Sequence, residues 1–396
     1  MEDRALTIML KRMKIATVIV AALCILTSCG GAQKAGNTTD NQTVAADSTV
    51  RPDYARGFTM AAGPEGSTLL TISDPEEGSK HAAQEWRFAL MPRGSAASTP
   101  EGYTRIDVPV ERAICMTSLQ LSNVIALGET ERIAGVTSTR HLFNPEVNSQ
   151  LKTGKTKKIG IEGNFDHEVV MALRPDVILI SPFKRGGYEA LRDADAPLMP
   201  HLGYKEPTPL GQAEWIKVAG LLTGNYDEAV EKFDSIAERY NRLRDMAAEA
   251  AADGKRPSVM SGEMRGGNWY AVGGKSFLAQ LINDAGGEYF LVDNEATGGV
   301  TLDYESIFRQ ASNADYWRIV NSHDGKYSYD VLRAQDERYT GFKAFKDKGV
   351  IYCNMKEVPF YESMPMEPDR VLADFVAVFH PSLLPDHKSG YYHLLK

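Results

Sequence analysis

The sequence predicts an α/β protein made of two lobes joined by one long helix. Three observations carry this reading. Short apolar strand-like runs alternate with helical runs over residues 105–208, and again after Pro257; such alternation builds parallel α/β structure. One amphipathic stretch, DEAVEKFDSIAERYNRLRDMAAEAA, separates the two runs. Its Ala229, Phe233, Ile236, Tyr240, Leu243 and Ala247 recur at helical steps and form one apolar stripe. The two runs also echo each other. FDHEVVMALRPDVILI in the first answers LDYESIFRQASNADYWRI in the second. Each opens a helix with Asp-x-Glu and places an Asp before an apolar strand.

The chain begins differently. Lys11, Arg12 and Lys14 precede the apolar run Ile15 to Leu26, the order of a secretory signal. The run is too short for a comfortable membrane span, which needs about 20 apolar residues. It ends in Leu26-Thr27-Ser28-Cys29, which resembles the bacterial lipobox. That resemblance implies a lipoprotein signal peptide over residues 1–29, with Met1, Met9 or Met13 as its start. It also implies an acylated Cys29 and a membrane anchor made of lipid. Residues 30–50 are rich in Gly, Ala, Thr, Asn and Gln without a core pattern, as expected of a flexible tether.

Residues 51–104 read as a β-rich extension. STLLTISDP and AQEWRFALMP are strand-like runs joined by the polar EEGSKHA, a hairpin pattern, and TRIDVP leads into the next segment. In the first lobe, 105–208, RAICMTS, RIAGVT and VILIS read as strands, with LQLSNVIALG and DHEVVMALRPD as helices between them. Residues 209–254 are a helical linker. PLGQAEWIKVAGLLTG starts at a proline and ends at a glycine, and the long helix follows. In the second lobe, 255–396, SVMSGE, YWRIVN and GVIYCNM read as strands. SFLAQLINDAGG, DYESIFRQASNAD and PDRVLADFVAVFHPSLL read as helices.

Composition narrows the function. The chain has 396 residues, 43% hydrophobic and 24% charged, with a net charge of -8. That is a globular composition without the basic footprint of a general nucleic-acid binder. Of four cysteines, Cys24 leaves with the signal and Cys29 takes the lipid; Cys115 and Cys353 read as buried free thiols. No Cys-x-x-Cys or His-x-x-x-His spacing supports a zinc site. Gly274-Lys275-Ser276 ends like a phosphate-binding loop, but Trp269 stands where that loop needs its first glycine. The plainer reading is that NWYAVGGKS is a loop that Gly273-Gly274 turn into a helix, which the family resemblance described below would make cleft-facing, with Lys275 solvated or near the cleft.

Two lobes on one helix should bind a ligand between them, in loops beyond the strand ends. Those loops hold Met116, Arg140, His141, Phe143, Phe183, Lys184 and Arg185 in the first lobe. In the second they hold Arg265, Trp269, Tyr270, Met355, Phe360 and Tyr361. Aromatics supply stiff contact area and arginines fork onto anionic oxygens. The mixture favours a bulky anionic metal complex over a neutral sugar. His141 and Tyr361 are chemically able to ligate haem iron, although a lone His is more often an ordinary hydrogen-bonded residue. There is no nucleophile elbow. An exported α/β hydrolase or transferase would need a nucleophile–base pair in the cleft, and a scaffold lipoprotein would have a filled one.

The ordered motifs ERAICMTS…VIALGETERIAGVT, NFDHEVVMALRPDVILI, PLGQAEWIKVAGLL, DYESIFRQASNADYWRI and DRVLADFVAVFHPSLLPDHKSGYY resemble a known family. It is the ABC-importer substrate-binding lipoproteins that carry ferric siderophores, haem or cobalamin. The resemblance covers about residues 105–396 and leaves 51–104 outside. It implies two three-layer α/β lobes on one helix, a monomer without catalytic residues or intrinsic cofactor, and a periplasmic lipoprotein on a bacterial membrane. It implies cargo such as a ferric siderophore, haem or a corrinoid. It also implies docking of Glu168 and Glu305 on a permease dimer with its ATPase subunits. From the residues alone, each Glu is equally an acidic first-turn residue favoured by the helix dipole.

Overall fold

The computed structural model describes residues 49–396, apart from 77, 80, 82, 138, 140, 162, 183–187, 253 and 255. The signal segment and Cys29 lie outside the described residues, as do Arg140, Phe183, Lys184 and Arg185. The hairpin expected around residue 76 is the middle of a four-stranded sheet. Its strands are β1 (Phe58–Ala62), β2 (Thr68–Ser73), β3 (Glu85–Pro92) and β4 (Thr104–Val108), in that order. The first two pairings are antiparallel and β3 pairs β4 in parallel. Phe58 and Met60 of β1, with Leu70 and Ile72 of β2, are buried. They share one core with Val124, Trp215 and Val218, so this sheet is packed onto the first lobe and the linker.

The first lobe is a five-stranded parallel sheet of β5 (Ala113–Cys115), β6 (Ile133–Val136), β7 (Lys157–Lys158), β10 (Val177–Ile180) and β11 (Leu198–Pro200). Its order is β11-β10-β5-β6-β7. Every residue of β5, β6 and β10 is buried, as parallel strands covered on both faces require. Between strands lie α1 (Ser118–Ala126), α2 (Pro145–Thr153) and α3 (His167–Leu173). The small hairpin β8 (Gly160–Ile161) and β9 (Asn164–Phe165) precedes α3. The linker holds α4 (Pro209–Glu214), α5 (Ile216–Thr223) and α6 (Tyr226–Ala252). The single helix expected over 209–224 breaks at Trp215. Helix α6 has 27 residues, with Ala229, Phe233, Ile236, Ala237, Tyr240 and Ala247 buried; at 1.5 Å per residue it is about 40 Å long.

The second lobe carries β12 (Ser258–Ser261), β15 (Glu288–Tyr289), β17 (Tyr316–Asn321), β18 (Val350–Asn354) and β19 (His393–Leu394), in the order β15-β12-β17-β18-β19. All pairings are parallel except the edge strand β19. A three-stranded antiparallel sheet, β13 (Glu263–Arg265), β14 (Asn268–Val272) and β16 (Gly299–Leu302), sits beside it. Its helices are α7 (Phe277–Asp284), α8 (Tyr304–Ala311), α9 (Tyr329–Gln335), α10 (Lys343–Lys346), α11 (Phe360–Ser363) and α12 (Pro368–Phe379). NWYAVGGKS is therefore mostly a strand and not a loop. Its two glycines are steric necessities. A Cβ on Gly273 would come 2.0 Å from the carbonyl oxygen of Ala296, and one on Gly274 equally close to that of Leu291. Ser276 caps α7 by accepting the Ala279 N–H at 3.2 Å.

The echo between lobes has a physical cause. Asp176, just before β10, accepts the backbone N–H groups of Glu111 (2.6 Å) and Arg112 (3.1 Å), which lead into β5. Asp315, just before β17, accepts the N–H and the hydroxyl of Ser258, which starts β12, both at 2.9 Å. In each lobe one carboxylate ties the entry of a central strand to its neighbour. Cys115 and Cys353 are buried and unpaired, and burial pushes both thiols up to about 12.

The extension is fastened by two buried carboxylates. Glu214 accepts the N–H groups of Asp53 (3.0 Å), Tyr54 (2.7 Å) and Ala55 (2.8 Å), and pairs with Lys217 at 2.6 Å. Glu206 accepts those of Arg56 and Gly57, and the indole N–H of Trp215 at 2.9 Å. Glu214 is fully buried. Glu214→Ala strands three N–H groups and the Lys217 ammonium, so urea unfolding should show a loss of about 3–5 kcal/mol. Hydrogen exchange at residues 53–55 should rise with it.

Asp315 yields a pH prediction. Burial opposes its ionisation, but the Ser258 and Lys343 contacts outweigh burial and hold its pKa below the usual aspartate value. A lowered folded pKa gives stability that is present above the unfolded value of about 3.9 and lost as pH falls through the folded one. The stability gap between wild type and Asp315→Asn should be flat near neutrality and shrink below about pH 4 in acid-unfolding curves.

Candidate functional site

The end of β5 runs directly into the start of α1, and that junction opens onto the space between the lobes. Gln120, fully buried, accepts the N–H groups of Met116 (2.7 Å) and Thr117 (3.1 Å). Its amide reaches the Ser181 hydroxyl at 3.3 Å. This fixes residues 116–119 at the rim of a cavity of about 800 Å³. The first lobe contributes Met116, Thr117, Ser118, Leu119, Thr137, Thr139, Lys158 and Ile161; the linker side adds Tyr204 and Gln212. The second lobe contributes Phe277, Phe360, Tyr361, Met364 and Pro365. The lining mixes apolar side chains with hydroxyls, the Gln212 amide and the Lys158 ammonium.

A second cavity, about 510 Å³, adjoins it through Ser118 and Tyr361, which line both. It adds His141, Arg265, Asn321, Ser322 and Met355. His141 has φ of 60°, a left-handed conformation uncommon for a non-glycine residue. Its Nε2 lies 3.3 Å from the Ser322 hydroxyl across the cleft, and its ring is 6.4 Å from that of Tyr361. Arg265 points its Nε and a terminal nitrogen at one Glu263 oxygen, at 3.0 and 2.7 Å. Its charge is thus countered in place. A further contact joins the lobes: Glu362 accepts the Phe143 N–H at 2.8 Å. Glu362 is buried. Burial raises its pKa, against the N–H groups of Phe143 and Asn144 that favour the charged form.

The structure therefore places Met116, His141, Arg265, Phe360 and Tyr361 on the two cavities. Three expected residues, Phe143, Trp269 and Tyr270, line neither cavity. Trp269 is 0% exposed. It stacks on Trp317 at 5.6 Å, edges against Tyr339, and donates its indole N–H to the Ser261 carbonyl at 2.9 Å. It is a core residue, because β14 alternates and sends Trp269 inward and Tyr270 outward. Tyr270 is 45% exposed but lines neither cavity. Lys158, Ile161, Tyr204, Gln212, Phe277, Met364 and Asn321 escaped the sequence reading. Several sit on two-residue strands or short turns that carry no periodicity; Phe277 had a signal, since it directly follows the GGKS turn. The Ser322–His141 pair joins the two lobes across the cleft. Among the described residues no cluster of His, Cys, Asp and Glu is arranged to hold a metal ion.

Glu168 and Glu305 are exposed second residues of α3 and α8. Asp166 and Asp303 cap those helices, accepting the N–H groups of Val169 (3.0 Å) and Ser306 (2.7 Å). The Asp-x-Glu repeat is therefore a cap followed by an outward carboxylate, at the same helix position in each lobe.

Two α/β lobes on one connecting helix, with a cavity lined from both lobes, make the frame of a binding protein. Over residues 114–356 the sequence matches the periplasmic binding protein family, and the chain belongs to it. It is a solute-binding protein of an ABC importer. An uncharacterized lipoprotein of Methanocaldococcus jannaschii is 21% identical over 317 residues, 76% of this chain and 73% of its own length. A periplasmic haem-binding protein from Pseudomonas aeruginosa shares the fold with a TM-score of 0.54 and 20% identity, over 69% of this chain and 94% of its own. The molybdate periplasmic binding protein of a Haemophilus influenzae ABC transporter, solved with molybdate, gives 0.55 and 16%, over 71% and 89%.

The two aromatic placements are separable by mutation. Trp269→Ala should cost about 3–5 kcal/mol in chemical unfolding through lost packing. Tyr361→Ala, at 44% exposure, should change stability by less than about 1 kcal/mol.

Proposed function

We propose that this protein captures a bulky iron complex, a ferric siderophore or haem, between its lobes and hands it to a membrane permease. The supporting observation is the cleft itself. Its larger cavity, about 800 Å³, lies at the upper end of the range for small-molecule sites, more room than a small oxyanion needs. Apolar walls from Leu119, Phe277, Phe360 and Met364 suit a large planar or folded organic chelate. Hydroxyls from Thr117, Ser118 and Thr139, and the Lys158 ammonium, suit its oxygens. Arg140, Lys184 and Arg185 belong to the same proposal as cationic contacts, with Phe183 as an aromatic one. Cys29 would hold the protein to the membrane by lipid, with residues 30–50 as tether. Glu168 and Glu305, one per lobe, would dock on the permease dimer, where exposed charges steer and orient association.

A corrinoid is the second reading. It is favoured by the neutral hydroxyl lining and by the pairing of Arg265 with Glu263, which lower the positive charge of the described cleft. The deciding experiment is a thermal-shift titration of the chain lacking residues 1–29 with ferric catecholate, ferric hydroxamate, haem and cyanocobalamin. A ligand at a hundred times its Kd stabilises by about 2.7 kcal/mol. A shift with an iron complex supports the proposal, and a shift with cyanocobalamin alone selects the corrinoid. No shift with any of the four overturns both.

A further inference from the structure

The lobes repeat more than Asp-x-Glu. Three residues after Glu168 stands Met171, and three after Glu305 stands Phe308. Both are large, apolar and exposed, at 44% and 38%. The residues just before them, Val170 and Ile307, are fully buried, so α3 and α8 sit on their lobes in the same register. Residues three apart are neighbours on a helix surface. Each lobe therefore displays a carboxylate and an apolar side chain together on an outer helix face. Single exposed apolar residues need no explanation. Two of them at one position of a structural repeat, each beside an exposed carboxylate, do need one.

Phe308 is also held ready. It stacks with Tyr304 at 5.8 Å and leans on the buried Phe342 at 5.6 Å. A Cβ at Gly341 would come 2.9 Å from its ring. One face is packed and the rest is open to solvent, so little side-chain entropy is lost when something covers it.

We propose that Glu168–Met171 and Glu305–Phe308 are the two halves of one docking surface whose anchors are the apolar residues. The inference rests on the docking role proposed above for the two glutamates. Its partner is a two-fold membrane permease presenting two equivalent sockets, each a cationic group beside an apolar hollow. The doubling argues for this partner: two matched patches on one chain fit a surface that itself comes in two copies. The carboxylates steer the encounter and set its salt dependence. Met171 and Phe308 supply the part that salt does not screen.

The test places a photo-crosslinking amino acid at position 171 or 308 of the full chain, in the cells that make it. Positions 167 and 304, beside the glutamates, serve as references. All four should cross-link to one integral-membrane protein that co-purifies with an ATPase subunit. Met171→Ser, whose side chain lies outside every core cluster, should lower cross-linking from position 167 about tenfold. Phe308→Ser should do the same from position 304, with folding checked by thermal unfolding. Cross-links at 167 and 304 without any at 171 and 308, or serine variants without effect, overturn the anchors and leave glutamate docking standing. No cross-link to such a protein from any position overturns the docking reading itself.

Discussion

The molecule depends on a pair of buried carboxylates at the linker. Glu206 and Glu214 take up five consecutive backbone N–H groups, from Asp53 to Gly57. A buried carboxylate is costly unless its oxygens are met by donors, and here the donors come from a segment that lies well outside the matched family region, 114–356. The segment is thereby made part of the linker. Burial pushes Glu206 up, and the N–H groups of Trp215, Arg56 and Gly57 push back. Around this point Trp215 meets Phe58 edge-on at 5.2 Å and His201 at 4.6 Å. Tyr54 rests on Phe233 of the long helix and accepts from Asn241 at 2.8 Å. The extension thus braces the region from which Tyr204 and Gln212 face the cleft. The hairpin loop goes further: Glu76 pairs with Lys205 at 3.0 Å and accepts the Thr297 hydroxyl of the second lobe at 3.0 Å. Sheet, linker and second lobe are joined by polar contacts in addition to the chain itself.

Most of the fold was legible because it is periodic. The stripe from Ala229 to Ala247 predicted α6 almost to its ends, and the buried runs AIC, IAGV and VILI predicted a parallel sheet. The Asp-x-Glu repeat was legible as a pattern, while its companion, the aspartate that binds the neighbouring strand, needed coordinates to be understood. What stayed hidden is short or aperiodic. Strand β1 is five residues between glycines, and β7 to β9 are two residues each. Helix α11, four residues long, brings Phe360 and Tyr361 to the cleft. These two were found by residue type, from aromatics in a strand-end loop.

The same rule by residue type failed at Trp269, and the failure is instructive. An aromatic between Gly267 and the GGKS turn looked like a loop residue. The strand NWYAV alternates, and alternation put Trp269 into an aromatic core with Trp317, Tyr339 and Phe342. Period two was visible in the sequence and outweighed the flanking glycines. One cation expected at the cleft is countered by a neighbour. Arg265 reaches the cavity already satisfied by Glu263. Composition reports which charges are near a site, but not which have been neutralised by a neighbour.

Capture by such a frame is a matter of small movements. A helix of 27 residues packed along its stripe against both α5 and α12 bends far less than a pair of flexible strands. The lobes also touch across the cleft, through Phe143 to Glu362 and His141 to Ser322. Both contacts fall on one side, in the segment that precedes α2. Asn144 caps that helix by accepting the N–H groups of Glu146 and Val147, so Glu362 meets its amides at the start of a rigid element. Opening on that side must release a buried carboxylate from its donors, which costs more than parting apolar surfaces of the same area. In the capture proposed above, entry would be easier away from that bond, and the walls that Leu119, Phe360 and Met364 provide would hold the cargo.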